Sequence, residues 1–335
     1  MISIYRTRVF FLSIWIVFLF LACGSVECRA QTGAISGEDD FGRKIVLESP
    51  PERIVLISGS PLDAICEMGA GDLLVGVVDS IATSYPETCR RYPFLLEKER
   101  VGRFSNPSIE KIISLDPDLV FAFGASDSPG KYTEVFERRG IPYAVFVSVK
   151  NTEFGLEQIM RMGTLLGRKK QARALADSIR KRVENISGKI ASETNDRPLV
   201  YYWWGKRNGT YGRNSSVDEL IELAGGINLA GDLGSHYFEL SPEYVIARDP
   251  DVVVISYWKE NEKKQRLRAL ENRAGFSDIK AVKNNRVYAM NGHAFHTPVR
   301  FAEVIRNLAR FFHPELFEDG ILLDQEMLEG KHNGR

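Results

Sequence analysis

The chain has 335 residues, enough for two ordinary domains, and its composition is that of a globular protein. Basic and acidic residues balance at 44 each, so no overall field draws a nucleic acid or an anionic membrane surface. No basic stripe interleaved with aromatics occurs either, which disfavours nucleic-acid binding.

The first thirty residues read as an export signal. Arg6 and Arg8 precede the apolar run Val9 to Ala22, too short and one-sided for a comfortable transmembrane span. Two processing sites compete. Cys28-Arg29-Ala30 has small residues where a signal peptidase reads, whereas Phe20-Leu21-Ala22-Cys23 resembles a bacterial lipobox in which Cys23 would carry lipid. Phe20 there replaces the usual leucine and Leu21 a small residue; an uncleaved membrane anchor is the bland alternative. Removing this segment leaves Cys66 and Cys89, which an oxidising compartment allows to bridge if their backbones approach closely enough. A catalytic cysteine is disfavoured because no histidine occurs before His236.

Glu38 to Ser49 reads as an edge hairpin turning at Phe41-Gly42-Arg43. Ile54 to Ile57 is a short apolar strand, followed by Ser58-Gly59-Ser60-Pro61 and a helix through Leu62, Ile65 and Met68. A serine and a proline at a helix start leave backbone N–H groups pointing outward, a natural place for a ligand oxygen; an ordinary cap is the equal alternative. Leu73 to Val78 gives the next strand, Tyr85-Pro86 opens a loop, and Gly102-Arg103-Phe104 leads into a helix and the strand Leu119 to Phe123. The loop Gly124 to Gly130, a helix to Arg139 and the strand Tyr143 to Val147 complete an alternating pattern, that of an α/β lobe with a mostly parallel sheet.

Thr152 to Ser192 changes character. Leu156, Ile159, Leu165 and Leu166 form one amphipathic helix ending near Gly167, and Ala172, Leu175, Ala176, Ile179, Val183, Ile186 and Ile190 then keep spacings of three and four. A coiled-coil partner helix is the rival to a connecting spine. A second lobe restarts with Leu199 to Trp204 and a helix over Val217 to Leu223. Ala224-Gly225-Gly226-Ile227-Asn228-Leu229-Ala230 lacks the spacing of a phosphate-binding fingerprint. Phe276, Ile279 and Val282 read as a helix, Arg286 to Met290 as a strand, Asn291 to Pro298 as a loop, and Leu308 to Phe312 as the end of a last helix.

One unit recurs. Pro107 to Val120 aligns without a gap on Leu240 to Val253 at an offset of 133 residues. A period this long is too large for a solenoid and points to two similar lobes. Ser241 with Pro242 caps a short helix in the second copy, and either Asn106 with Pro107 or Ser108 does so in the first; Glu110 or Glu243 lies in the first turn, an Asp-Pro ends the helix at Asp116 or Asp249, and an apolar strand follows. Neither glutamate answers a core need; complementing the helix dipole is the bland explanation.

The duplicated helix, Asp-Pro-Asp and strand, the long helix between the copies, Arg53-Ile54-Val55, the Leu220 to Ala230 segment and the exported N-terminus together resemble the helical-spine substrate-binding proteins of ABC importers, the receptors for iron–siderophore, haem and cobalamin cargo. The resemblance covers about Phe41 to Phe317. It implies two α/β lobes joined by one long helix: a signal peptide over 1–30, lobes over 41–150 and 197–318, a connecting helix over 151–193 and a tail over 319–335. It implies a monomer on the extracytoplasmic face, periplasmic or membrane-anchored, no resident cofactor, and an ABC permease whose arginines would receive Glu110 and Glu243.

All five histidines lie at His236 or beyond, so a bare metal ion held from both lobes is disfavoured. The cleft implied by the resemblance would be lined by Ser60, Tyr85, Arg103 and Phe104 from the first lobe. Trp203, Trp204, Tyr211, Arg213, Tyr237, Tyr257, Trp258, His293, His296 and Arg300 would line it from the second. Strand alternation lets only one of Trp203 and Trp204 face a ligand. Aromatic faces suit a bulky chelate and arginines its anionic oxygens, which puts a ferric siderophore first, a corrinoid or haem next, with Tyr85 or Tyr211 able to ligate haem iron, and a molybdate-type oxyanion last. An exported metal-dependent hydrolase using His293-Ala294-Phe295-His296 is the rival class, but neither the spacing nor a Gly-x-Ser-x-Gly elbow supports it.

Overall fold

The spine is where the two halves of the molecule meet. In this computed structural model residues 33–123, 132–205, 208–234 and 237–318 are described; the export segment with Cys23 and Cys28, the loop Gly124 to Gly130, His236 and the tail from 319 lie outside them. The helix Thr152–Leu165 turns back on the helix Lys169–Glu193 through Gly167, whose φ of +66° is the left-handed geometry that favours glycine. The second helix has 25 residues, hence a length of about 37 Å. Its buried stripe, Ala172, Ala176, Ile179, Val183, Ile186 and Ile190, joins Ile54 and Leu56 of the first lobe to Val200, Val254 and Leu308 of the second in one continuous core. The closing helix Phe301–Phe312 buries Val304, Ile305 and Leu308 in that same core.

Each lobe is built on a parallel sheet. In the first the order is Glu99–Arg100, Leu74–Val77, Ile54–Leu56, Leu119–Phe123, Tyr143–Phe146; in the second it is Ile227–Asn228, Leu199–Trp203, Val252–Tyr257, Val287–Asn291. With the edge strand Glu99–Arg100 set aside, both lobes run 2-1-3-4 counted along the chain. The hairpin Ile35–Glu38 with Lys44–Leu47 leads in, its turn fixed by the buried Asp39 carboxylate, which accepts from the Phe41 and Arg43 amides and pairs with the Arg43 guanidinium at 2.7 Å.

The 133-residue repeat holds in the helix caps and the turns that end the helices. Ser108 accepts from the Lys111 amide and Ser241 from the Tyr244 amide, capping the helices Ile109–Ser114 and Pro242–Arg248. Asp116 and Asp249 sit at φ of 46° and 47°, in the left-handed region where each helix stops. The second aspartate of each motif ties down the first strand of its lobe: Asp118 accepts from the Glu52 and Arg53 amides at 2.7 and 3.1 Å, and Asp251 from the Leu199 amide at 2.9 Å.

Three expectations differ from the structure. Tyr85-Pro86 opens no loop but a helix, Pro86–Arg91, because proline at the first helical position needs no N–H there. Phe276 to Val282 is no single helix; a short turn over Phe276–Asp278 and a helix over Lys280–Lys283 flank an extended Ile279. Cys66 and Cys89 are buried free thiols, and burial pushes Cys66 up to about 12.

Candidate functional site

Residues that follow the carboxyl ends of strands in the two lobes meet, Tyr85 from the first touching His293 from the second at 3.0 Å, and open α/β sheets present their ligand-binding loops at that end. From the second lobe three strands each deliver ring side chains just past their last residue: Trp204 after Leu199–Trp203, Trp258 after Val252–Tyr257, and His293 and His296 after Val287–Asn291. The antiparallel ribbon of Gly209–Tyr211 with Tyr237–Glu239 sets Tyr211 directly opposite Tyr237. These rings form one wall: Trp204 lies 5.4 Å from Tyr237 and 5.7 Å from Trp258, Tyr211 lies 5.5 Å from Tyr237 and 5.4 Å from His296, and Trp258 lies 4.8 Å from His293 and stacks on His296 at 6.1 Å. Such contacts are largely edge-to-face, the arrangement that aromatic quadrupoles favour.

Alternation separates neighbouring residues. Trp203 turns to the other side of the sheet, buried among Val253, Ile255 and Phe276 beneath the Arg273 guanidinium at 5.0 Å, so this ligand-site candidate is a core residue. Tyr257 is likewise buried, with the Lys263 ammonium over its ring at 5.8 Å. The wall's backbone is held by two residues that the sequence did not single out. Glu262 accepts from the Trp258 amide at 3.4 Å and pairs with Arg266 at 3.0 Å, and Arg266 donates to the Trp204 carbonyl at 3.4 Å. Both belong to the segment that ends in the helix Lys263–Glu271, which carries so few apolar residues that periodicity gives it no signal.

The first lobe supplies Tyr85. Its hydroxyl meets His293 Nδ1 at 3.0 Å with the rings 4.4 Å apart, and its ring covers Gly59, where an added Cβ would come within 1.9 Å of it. Desolvation lowers His293 to about 4, so the imidazole is neutral at ordinary pH. Ser60 lies below, lining with Gln158, His296 and Pro298 an apolar cavity of about 20 Å³, roughly the space of one water. His296 Nδ1 is 3.4 Å from the Ser216 hydroxyl.

The cations divide. Arg300 is bound by Glu303 at 2.9 Å and by Glu87, and the Arg213 Nε donates to the Gly231 carbonyl at 3.0 Å while its side chain faces solvent. Arg103 and Phe104 are exposed on the hairpin of Gly102–Arg103 with Asn106–Pro107, at the carboxyl edge of the first sheet. Glu110 and Glu243 are exposed in the first turns of their capped helices. Among the described residues no three His, Cys, Asp or Glu side chains converge as a metal site, and no helix is long and apolar enough to cross a membrane.

Two parallel-sheet lobes joined by one spine, with ring side chains gathered where the strand ends of the two lobes meet, have the architecture of a two-lobed binding protein. Residues 54–294 match the periplasmic binding protein family, and the chain belongs to it. A cobalamin-binding protein of Halobacterium salinarum is 29% identical over 290 residues, 85% of this chain and 76% of its own. The periplasmic heme-binding protein RhuT from Roseiflexus, in apo form, superposes with a TM-score of 0.66 at 26% identity, covering 78% of this chain and 98% of its own. The molybdate-bound periplasmic binding protein MolA of a Haemophilus influenzae ABC transporter reaches a TM-score of 0.71 at 20% identity over 85% of this chain and 93% of its own, a level that speaks to the fold alone. Family membership carries an extracytoplasmic place and a role in binding substrate.

Proposed function

We propose that the protein captures a large, flat, net-neutral metal chelate of the corrinoid class between its lobes and delivers it to an ABC permease, without chemistry on the cargo. The observation that carries this reading is the ring wall of Trp204, Tyr211, Tyr237, Trp258 and His293, which offers π-faces and a neutral imidazole while the Arg300 guanidinium is paired with Glu303 and Glu87. An anionic chelate needs a cation at the site; a neutral corrin ring needs flat apolar area. This orders a corrinoid ahead of the ferric siderophore that the sequence alone puts first, and the relative named for cobalamin supports the same order.

The repeat supplies two lips for the cleft. Phe104 and Tyr237 are equivalent at the 133-residue offset, and among the described residues they are the only aromatics in the exposed large hydrophobic set, at 50% and 37%. Each lies six residues before its lobe's exposed glutamate, so we assign Phe104 and Tyr237 to cargo and Glu110 and Glu243 to permease arginines. Export by the Arg6 to Ala22 segment would bring a monomer to the outer face of the membrane. Exposed Arg103 favours a second reading, a carboxylate-bearing cargo such as haem or a ferric siderophore.

Calorimetric titration of the purified protein with cyanocobalamin, haemin, a ferric hydroxamate, molybdate and zinc tests the order. Tightest binding of cyanocobalamin is expected, with at least tenfold weakening in the Phe104→Ala and Tyr237→Ala variants. Tight binding of zinc or molybdate alone would overturn it.

A further inference from the structure

A short stretch of the first lobe is fastened to a short stretch of the second. The Ser84 carbonyl accepts from Asn291 Nδ2 at 3.4 Å, the Tyr85 hydroxyl meets His293 Nδ1 at 3.0 Å, and the Glu87 carboxylate pairs with the Arg300 guanidinium. Three contacts thus leave a span of four positions, 84–87, and arrive within a span of ten, 291–300. Apart from Asn291, the last residue of the strand Val287–Asn291, neither stretch belongs to a sheet or a long helix. Tyr85 is the break between the helices Ile81–Ser84 and Pro86–Arg91, with φ −129° and ψ 52°, and His293 to Arg300 run through two single turns, Gly292–His296 and Pro298–Arg300. Short elements of this kind move at low cost while the sheets and spine stay rigid.

The contacts also close space. Tyr85 is buried, lying on Gly59 on one side and against the His293 ring on the other, so it occupies the floor between Ser60 and the ring wall. The outer fastening is weaker. Glu87 is 44% exposed, and solvent screens its pair with Arg300, which keeps Glu303 as an alternative partner when that pair opens.

We propose that residues 84–87 and 291–300 form an interlobe latch at the floor of the cleft, and that incoming cargo takes the place of the Tyr85–His293 contact. The latch itself does not depend on which cargo is bound; only the exchange step rests on the chelate reading above. Cargo must therefore offer His293 a replacement partner, either a hydrogen-bond donor or a ring face. A ligand too small to span Tyr85 and the wall would leave the latch closed, which makes the latch a filter on size.

The test uses the full chain after export, first without cargo. Hydrogen exchange is followed in the wild type, Glu87→Gln and Tyr85→Phe, the latter keeping the ring and removing only the hydroxyl. In each variant the amides of 84–92 and of 292–300 are expected to exchange about tenfold faster together, with the sheet strands unchanged. Acceleration confined to the mutated side, or on neither side, would overturn the latch. A second arm measures cyanocobalamin association by stopped flow. Glu87→Gln is expected to bind several-fold faster with an unchanged dissociation rate, whereas slower association would show that the contacts preform the bound state and would overturn the exchange. Failure of the wild type to bind cyanocobalamin would remove the chelate reading and the exchange step, while the hydrogen-exchange arm would still decide the latch.

Discussion

His293 ties the acid stability of the molecule to one side chain in the cleft. Burial lowers its folded-state value to about 4, below the 6.5 of an exposed imidazole, so between those values the unfolded chain binds more protons. The stabilisation from keeping His293 neutral is present above pH 6.5 and is lost as pH falls toward 4, up to about 3 kcal/mol for a shift of that size. His313, also lowered by burial, adds in the same direction, so the wild type alone does not isolate the effect. Thermal denaturation of the wild type and His293→Gln between pH 7 and 4 should show the wild type losing more stability on acidification. Parallel profiles would mean that the imidazole is solvated in the native state.

At the scale of elements the Asp-Pro-Asp motif carries more than a helix stop. Its first aspartate takes the left-handed turn, and its second clamps the backbone where the lobe's first strand begins. Asp251→Ala strands the Leu199 amide and should cost about 1–3 kcal/mol, read as a lowered midpoint in urea with the slope unchanged. A loss below a few tenths would assign the motif to chain reversal alone. The sequence showed the proline and therefore the stop, but not the clamp, because a hydrogen bond to a residue 52 positions away leaves no local pattern. Paired strands and the spine were legible, since burial on one or both faces imposes a period. The helix at Pro86 and the positioning pair Glu262 and Arg266 were not, because a short helix set by one proline and a polar helix held by its ion pairs have none. Of the ring candidates, composition supplied the set and alternation the rule that divides it; the contact of Trp203 with Arg273 rather than with the wall needed the sheet's handedness.

For the whole molecule, the duplicated lobes present one exposed glutamate each at equivalent positions, and the proposed docking rests on that pair. Glu110 and Glu243 are equivalent, exposed and unburdened by any core role, so replacing both with alanine should leave cargo affinity within about twofold and abolish uptake by the intact importer. Normal uptake by the double variant would remove them from the docking surface. The continuous core along Lys169–Glu193 makes the lobes one stiff body apart from the latch and the loops at the strand ends, which leaves the cleft's lining, not a large hinge motion, to select the cargo. Native mass spectrometry of the protein purified from its own host reads that selection directly. One equivalent of a corrinoid-sized organic chelate, lost in the Phe104→Ala/Tyr237→Ala variant, is the expected result, and recovery with a bare metal ion or a small oxyanion would contradict the account.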